Sequence, residues 1–136
     1  MGSRGLDNRN PGNLRLSGVR YKGELRPGSD PEFRTFETMA WGYRAIFVLL
    51  HTYAVRYGCR TLRQMIERYA PPAENNTAAY LRFVSMQAGV APDTEVDTLD
   101  RTMMTAIVSA MSQMENGSAA DPWSVDDGWR LFRADF

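Results

Sequence analysis

Glu115 stands out among the residues able to do chemistry. It closes the apolar run MMTAIVSAMSQMENG and precedes Asn116-Gly117, so it borders both a buried helix and a turn. A carboxylate at a helix C-terminus meets the negative end of the helix dipole, which disfavours the anion. Apolar surroundings act in the same direction. A carboxylic acid that keeps its proton can cleave a glycosidic bond, often with a second carboxylate or an amide as partner. An exposed glutamate in a last helical turn would have the same local sequence and no chemistry. Glu24, Asp30, Glu32 and Glu37 lie in a segment punctuated by glycine and proline. Any of them could be the second carboxylate, and each alone reads equally as a solvated loop acid. Asn8, Asn10 and Asn13 could bind sugar hydroxyls or acetamido groups, or simply make the Asn-Pro-Gly-Asn turn. Tyr80 could line a cleft or the core, and Trp41 and Trp123 could stack on a sugar face.

Other chemistries find little support. His51 is the only histidine and lies inside the longest apolar run, which leaves a Ser-His-Asp or Cys-His system without a placed base. Cys59 is the only cysteine, so no internal disulfide forms. No metal-ligand spacing and no phosphate-cradling glycine loop occurs, and no cofactor is expected.

The chain has 136 residues, a length that suits a single domain over 1–136. With 43% hydrophobic and 24% charged residues it reads as an ordinary folded protein. Its formal net charge of zero argues against nonspecific nucleic-acid binding, which needs a basic surface. The N-terminus MGSRGLDNRNPGN has no apolar segment of the signal-peptide kind, so synthesis in the cytoplasm without a signal peptide is expected.

These residues need a scaffold, and the stretch from 38 to 58, TMAWGYRAIFVLLHTYAVRYG, is its centre. It is apolar on nearly every side of a helical wheel, as a buried helix is. Arg44, His51 and Arg56 interrupt it too often for a membrane span, so no membrane insertion is expected. Gly58 stands where a left-handed cap belongs. Thr61 and Gln64 form a capping-box pattern at the start of a second helix, which Pro71 and Pro72 stop. A third helix covers 74–89, with Asn76 or Thr77 as N-cap. A fourth covers 98–116, where Met103, Met104, Ile107, Val108, Met111 and Met114 recur at helical spacing. In the tail, Ser124 and Asp127 read as a capping pair for a short final helix carrying Trp129 and Phe132. The segment 13–36 reads as a small irregular β-hairpin, with LRL opening one strand and Phe33, Thr35 and Phe36 in the other. The class is mainly α, an α+β fold of about five helices with a small hairpin.

The order NRNPGNLR, GVRYKGE, DPEFRTFETMAWGYRA and YGCRTLRQMIERYAPPAENNTAAYLRFV resembles small lysozyme-like proteins of bacteriophages and prophages, often labelled structural or virion proteins. The likeness spans about residues 4–117. More distantly, the pattern is similar to peptidoglycan-cleaving glucosaminidases and lytic transglycosylases. In those enzymes a helix ends in the catalytic Glu, an Asn-x-x-Gly-Ile-Lys-like segment and a hairpin follow, and a later helix contributes a cleft tyrosine. NPGNLR, FRTF, the central helix and Tyr80 can be laid on that order. The catalytic helix should precede Asn10, and no glutamate occurs before Glu24. The helix ending in Glu115 has the required character, so the resemblance implies a circularly permuted lysozyme-like domain with Glu115 facing NPGNLR across a cleft.

The resemblance further implies an enzyme acting on peptidoglycan glycan strands, a muramidase or lytic transglycosylase. Glu115 would be the general acid. Asp30 or Glu24 would stabilise the transition state or position water, and Asn10, Asn13, Tyr80 and Trp41 would bind the sugar. Phage particle components are the other partners it implies, with the protein virion-associated or released to the cell wall. The alternative reading is a non-catalytic glycan-binding or virion structural protein with the same fold. A further one is an interaction module using the Met and Trp surfaces.

Overall fold

The computed structural model describes residues 3–136. The central helix, α2, runs Met39–Tyr57. The Thr38 side chain accepts the Trp41 N–H at its start, and Gly58 closes it in the left-handed region at φ 64°. Tyr43, Ile46, Phe47 and Leu50 are fully enclosed. Truncating such a side chain, as in Phe47→Ala, removes about 3–5 kcal/mol of stability. The last helix, α6 (Pro122–Asp135), lies along α2. Its Trp129 meets the Phe47 ring edge-on at 5.1 Å, with Phe132 beside both. Arg44 is also buried in α2, and its guanidinium reaches Asp135 at 2.8 Å.

Helix α3 spans Leu62–Tyr69 and carries the capping box of Thr61 and Gln64. Helix α4 spans Thr77–Ala88, with Asn76 as its N-cap and Gly89 as its left-handed end. It packs against α5, Arg101–Asn116. Leu62, Met65, Ile66, Tyr80, Val84, Met104, Ile107 and Met111 join the residues of α2 and α6 in the main core. The methionine stripe of α5 is therefore chiefly core, with Met114 at its exposed end.

A single helical turn near the N-terminus, α1 (Arg4–Asp7), packs on α5. Strands β1 (Glu24–Leu25) and β2 (Thr35–Phe36) pair antiparallel, with Glu24 opposite Phe36 and Leu25 opposite Thr35. Leu14, Phe36 and Ala45 form a smaller apolar cluster beneath them. Among the described residues the fold is six helices and one two-stranded sheet, a mainly α architecture.

Several expected boundaries differ. The turn α1 has no apolar periodicity to announce it. The LRL segment makes only one isolated bridge, Arg15 to Phe33, flanked by backbone bonds from the Arg34 N–H to the Leu14 carbonyl and from the Leu16 N–H to the Glu32 carbonyl. The Leu14 N–H turns to the Asn10 side chain and does not extend the ladder. Helix α5 begins at Arg101, not 98, where the Asp100 carboxylate caps the Met103 N–H. Helix α6 is capped by Asp121 and not by Ser124. Pro122 in the first turn fits a position whose N–H is free anyway, and Ser124 donates to the Asp121 carboxylate.

Candidate active site at the end of helix α5

Glu115 is the penultimate residue of α5 and is half-buried. One carboxylate oxygen accepts the Tyr80 hydroxyl at 2.8 Å. The other accepts the Asn13 side-chain amide at 2.9 Å. Three segments far apart in sequence thus meet on one carboxyl group. Both donors are neutral, and among the described residues Glu115 makes no ion pair with Lys or Arg.

Tyr80 is placed by the start of α4. The Asn76 cap accepts the Ala79 N–H at 3.1 Å and fixes the first turn, and the ring enters the core beside Tyr69, centroids 6.3 Å apart. Burial, then the neighbouring Tyr69 and the Glu115 charge and hydrogen bond, push the Tyr80 phenol far above its ordinary value. It therefore remains a donor at any working pH.

Asn13 sits in the left-handed region at φ 50°, which asparagine tolerates better than most residues. Its N–H donates to the Asn10 carbonyl at 3.0 Å. The loop that carries it rests on α2 at Gly42, where any side chain would strike the Arg9 carbonyl and Pro11. Asn116 staples the same loop to α5. Its amide donates to the Pro11 carbonyl at 2.8 Å and to the Ser112 carbonyl at 2.9 Å, and its oxygen accepts the Ser3 hydroxyl. Sequence reasoning did not assign Asn116 or Ser3 a part. A polar residue after the last apolar turn carries no sign that residues 3 and 11 are its partners.

The other candidates stand elsewhere. Asn10 is fully buried, and its side chain is consumed by its own loop. The amide donates to the Leu14 and Arg34 carbonyls at 3.0 and 2.9 Å, and the oxygen accepts the Leu14 N–H at 2.9 Å. No donor is left for a sugar. Asp30 accepts from Arg4, from the Asn8 amide and from the N–H groups of Glu32 and Phe33. The Arg4 guanidinium foremost holds the Asp30 carboxyl far below the usual carboxylate range. Glu24 is buried against Arg34 and Arg26. Trp41 lies on Gly23 and the small cluster under the sheet, with the Arg44 guanidinium 5.8 Å from its ring centroid. Trp123 is 78% exposed. His51 bonds Thr98 at 2.7 Å on the far part of α2. Two open hollows on the surface, of about 450 and 410 Å³, lie beside Arg60 and Asp97 and beside Tyr21 and Glu37, and Glu115 lines neither. Among the described residues no group of His, Cys, Asp and Glu could hold a metal ion.

No protein-family model matches the chain. It is a phage-related protein by its kinship. It belongs to the family of Protein P5 of Pseudoalteromonas phage PM2, with which it shares 38% identity over 128 residues, 92% of this chain and 77% of P5.

Proposed function

We propose that this protein cleaves the glycan strands of peptidoglycan, with Glu115 as a single general acid. The observation that carries the reading is the Tyr80–Glu115–Asn13 cluster, in which a half-buried carboxyl group is held by two neutral donors and no cation. The arrangement fits a circularly permuted lysozyme-like domain, the acid arriving on α5 and facing the N-terminal NPGN loop. Kinship with a phage protein supports a setting in which cell-wall cleavage is useful, in the virion or at the host wall.

In the proposed reaction the Glu115 proton passes to the glycosidic oxygen as the bond from that oxygen to the anomeric carbon breaks. Tyr80 and Asn13 keep the carboxyl oriented through the step and bond the carboxylate it becomes. The oxocarbenium-like centre is then captured by water, which yields a reducing end, or by the sugar's own hydroxyl, which yields an anhydro product. Glu115 takes the proton back in either case. Asp30 and Glu24 are already engaged by arginines, so the second route needs fewest assumptions about a partner acid.

Digestion of purified peptidoglycan by wild type and Glu115→Gln, with products read by mass spectrometry, tests the reading. Muropeptide release by wild type and its loss in the folded variant are expected. Binding without release across a broad pH range would instead support a non-catalytic glycan-binding virion component.

A further inference from the structure

Tyr69 has no part in the chemistry above, yet it touches both sides of the Glu115 cluster. It is the last residue of α3. Its hydroxyl donates to the Gly12 carbonyl, and its ring lies against that of Tyr80. Gly12 leaves no room for anything else there. A Cβ at that position would come within 2.4 Å of the Tyr69 hydroxyl and 3.0 Å of Ile46.

The Gly12 carbonyl and the Asn13 N–H belong to one peptide unit, which is planar. Tyr69 holds its oxygen and the Asn10 carbonyl accepts its hydrogen, so the plane is locked at both edges. That plane sets the direction in which Asn13, at its left-handed φ, sends its amide. Burial, then the Glu115 charge, push the Tyr69 phenol well above its ordinary value, so it too stays a donor at every working pH.

We propose that Tyr69 is a positioning residue for Glu115. Its hydroxyl locks the Gly12–Asn13 peptide so that the Asn13 amide bears on one carboxylate oxygen, while its ring backs Tyr80 on the other. The inference rests on the reading of Glu115 as the acid, but its geometry can be tested apart from it.

The test uses Tyr69→Phe, which keeps the ring and removes the hydroxyl, in the full chain. The Asn13 side-chain amide signals, assigned by NMR, are expected to shift and to exchange faster with solvent, with the rest of the core spectrum unchanged. In peptidoglycan turnover, kcat is expected to fall about tenfold with KM within twofold. Asn13→Gly, which suits the left-handed backbone, gives the second arm. If Tyr69 acts through Asn13, adding Tyr69→Phe to Asn13→Gly slows turnover little further. Unmoved amide signals, or fully multiplicative losses in the double variant, would overturn the proposal. If wild type releases no muropeptides, the enzymatic reading fails, and the amide signals alone decide whether Tyr69 positions Asn13.

Discussion

Glu24 at the hairpin and Glu115 at the end of α5 are both removed from open water, and they are held in opposite ways. Glu24 has no exposed side-chain surface and lies between Arg34 and Arg26, with the Tyr21 N–H also donating to it. Burial alone would raise its pKa. The bonds from Arg26, the Tyr21 N–H and Arg34 outweigh that and hold it below the usual range. The same Arg34 donates to the Val19 carbonyl and the Ser17 hydroxyl, so the pair ties the 17–26 segment to the sheet. Glu115 instead is half-buried and meets only a phenol and an amide. Charged neighbours, more than burial, separate the two: arginines make Glu24 part of a loop's framework, while Glu115 is left with neutral partners alone.

The largest expected effect is at Glu115. If it is the acid, Glu115→Gln lowers peptidoglycan turnover by about 10²–10⁴-fold, the usual worth of a positioned general acid, with circular dichroism unchanged. The mirror experiment is Glu24→Gln. It leaves Arg34 buried without a counter-charge and removes about 3 kcal/mol of stability in urea unfolding, while turnover per folded molecule stays within twofold. A large drop in turnover at Glu24, matching that at Glu115, would collapse the distinction.

Acid unfolding sharpens it further. Folded Glu24 titrates below its unfolded value, so its stabilisation is complete above the unfolded carboxylate range, near pH ~4.3, and fades as pH falls through the folded value. The Gln variant should lose that acid-side loss, giving a flatter stability curve below pH ~4.3. Tyr80→Phe removes one donor from Glu115 and is expected to slow turnover about tenfold, with about 1 kcal/mol of stability lost. The smallest effect belongs to Glu32, whose side chain is 58% exposed and 3.5–3.6 Å from Arg4 and Arg15. Glu32→Gln should leave both the unfolding midpoint and turnover unchanged within error.

Much of the helical frame was legible in the residues. The all-round apolar run gave α2, Thr61 and Gln64 gave the start of α3, and Gly58, Gly89 and Gly117 gave three helix ends. These are local signals, set by side-chain period and backbone preference. Residue type alone does not fix the α6 cap, since Ser124 and Asp121 are both of the kinds that cap helices, and Pro122 in the first turn favours Asp121. Asn10 shows the limit at the site. Its type suited sugar binding as well as turn-making, and only the positions of Leu14 and Arg34 show that its amide is fully spent.

The sequence by itself determined the mainly α class, the buried central helix and the placing of Glu115 at the end of an apolar helix. It also offered Asn13 and Tyr80 as candidates on residue type and resemblance. The tertiary structure alone decided that these three meet, because contacts across 35 and 102 residues depend on how α4, α5 and the N-terminal loop pack. It decided as well that Glu24 and Asp30 are tied to arginines, since a carboxylate's neighbours in space are not its neighbours in the chain.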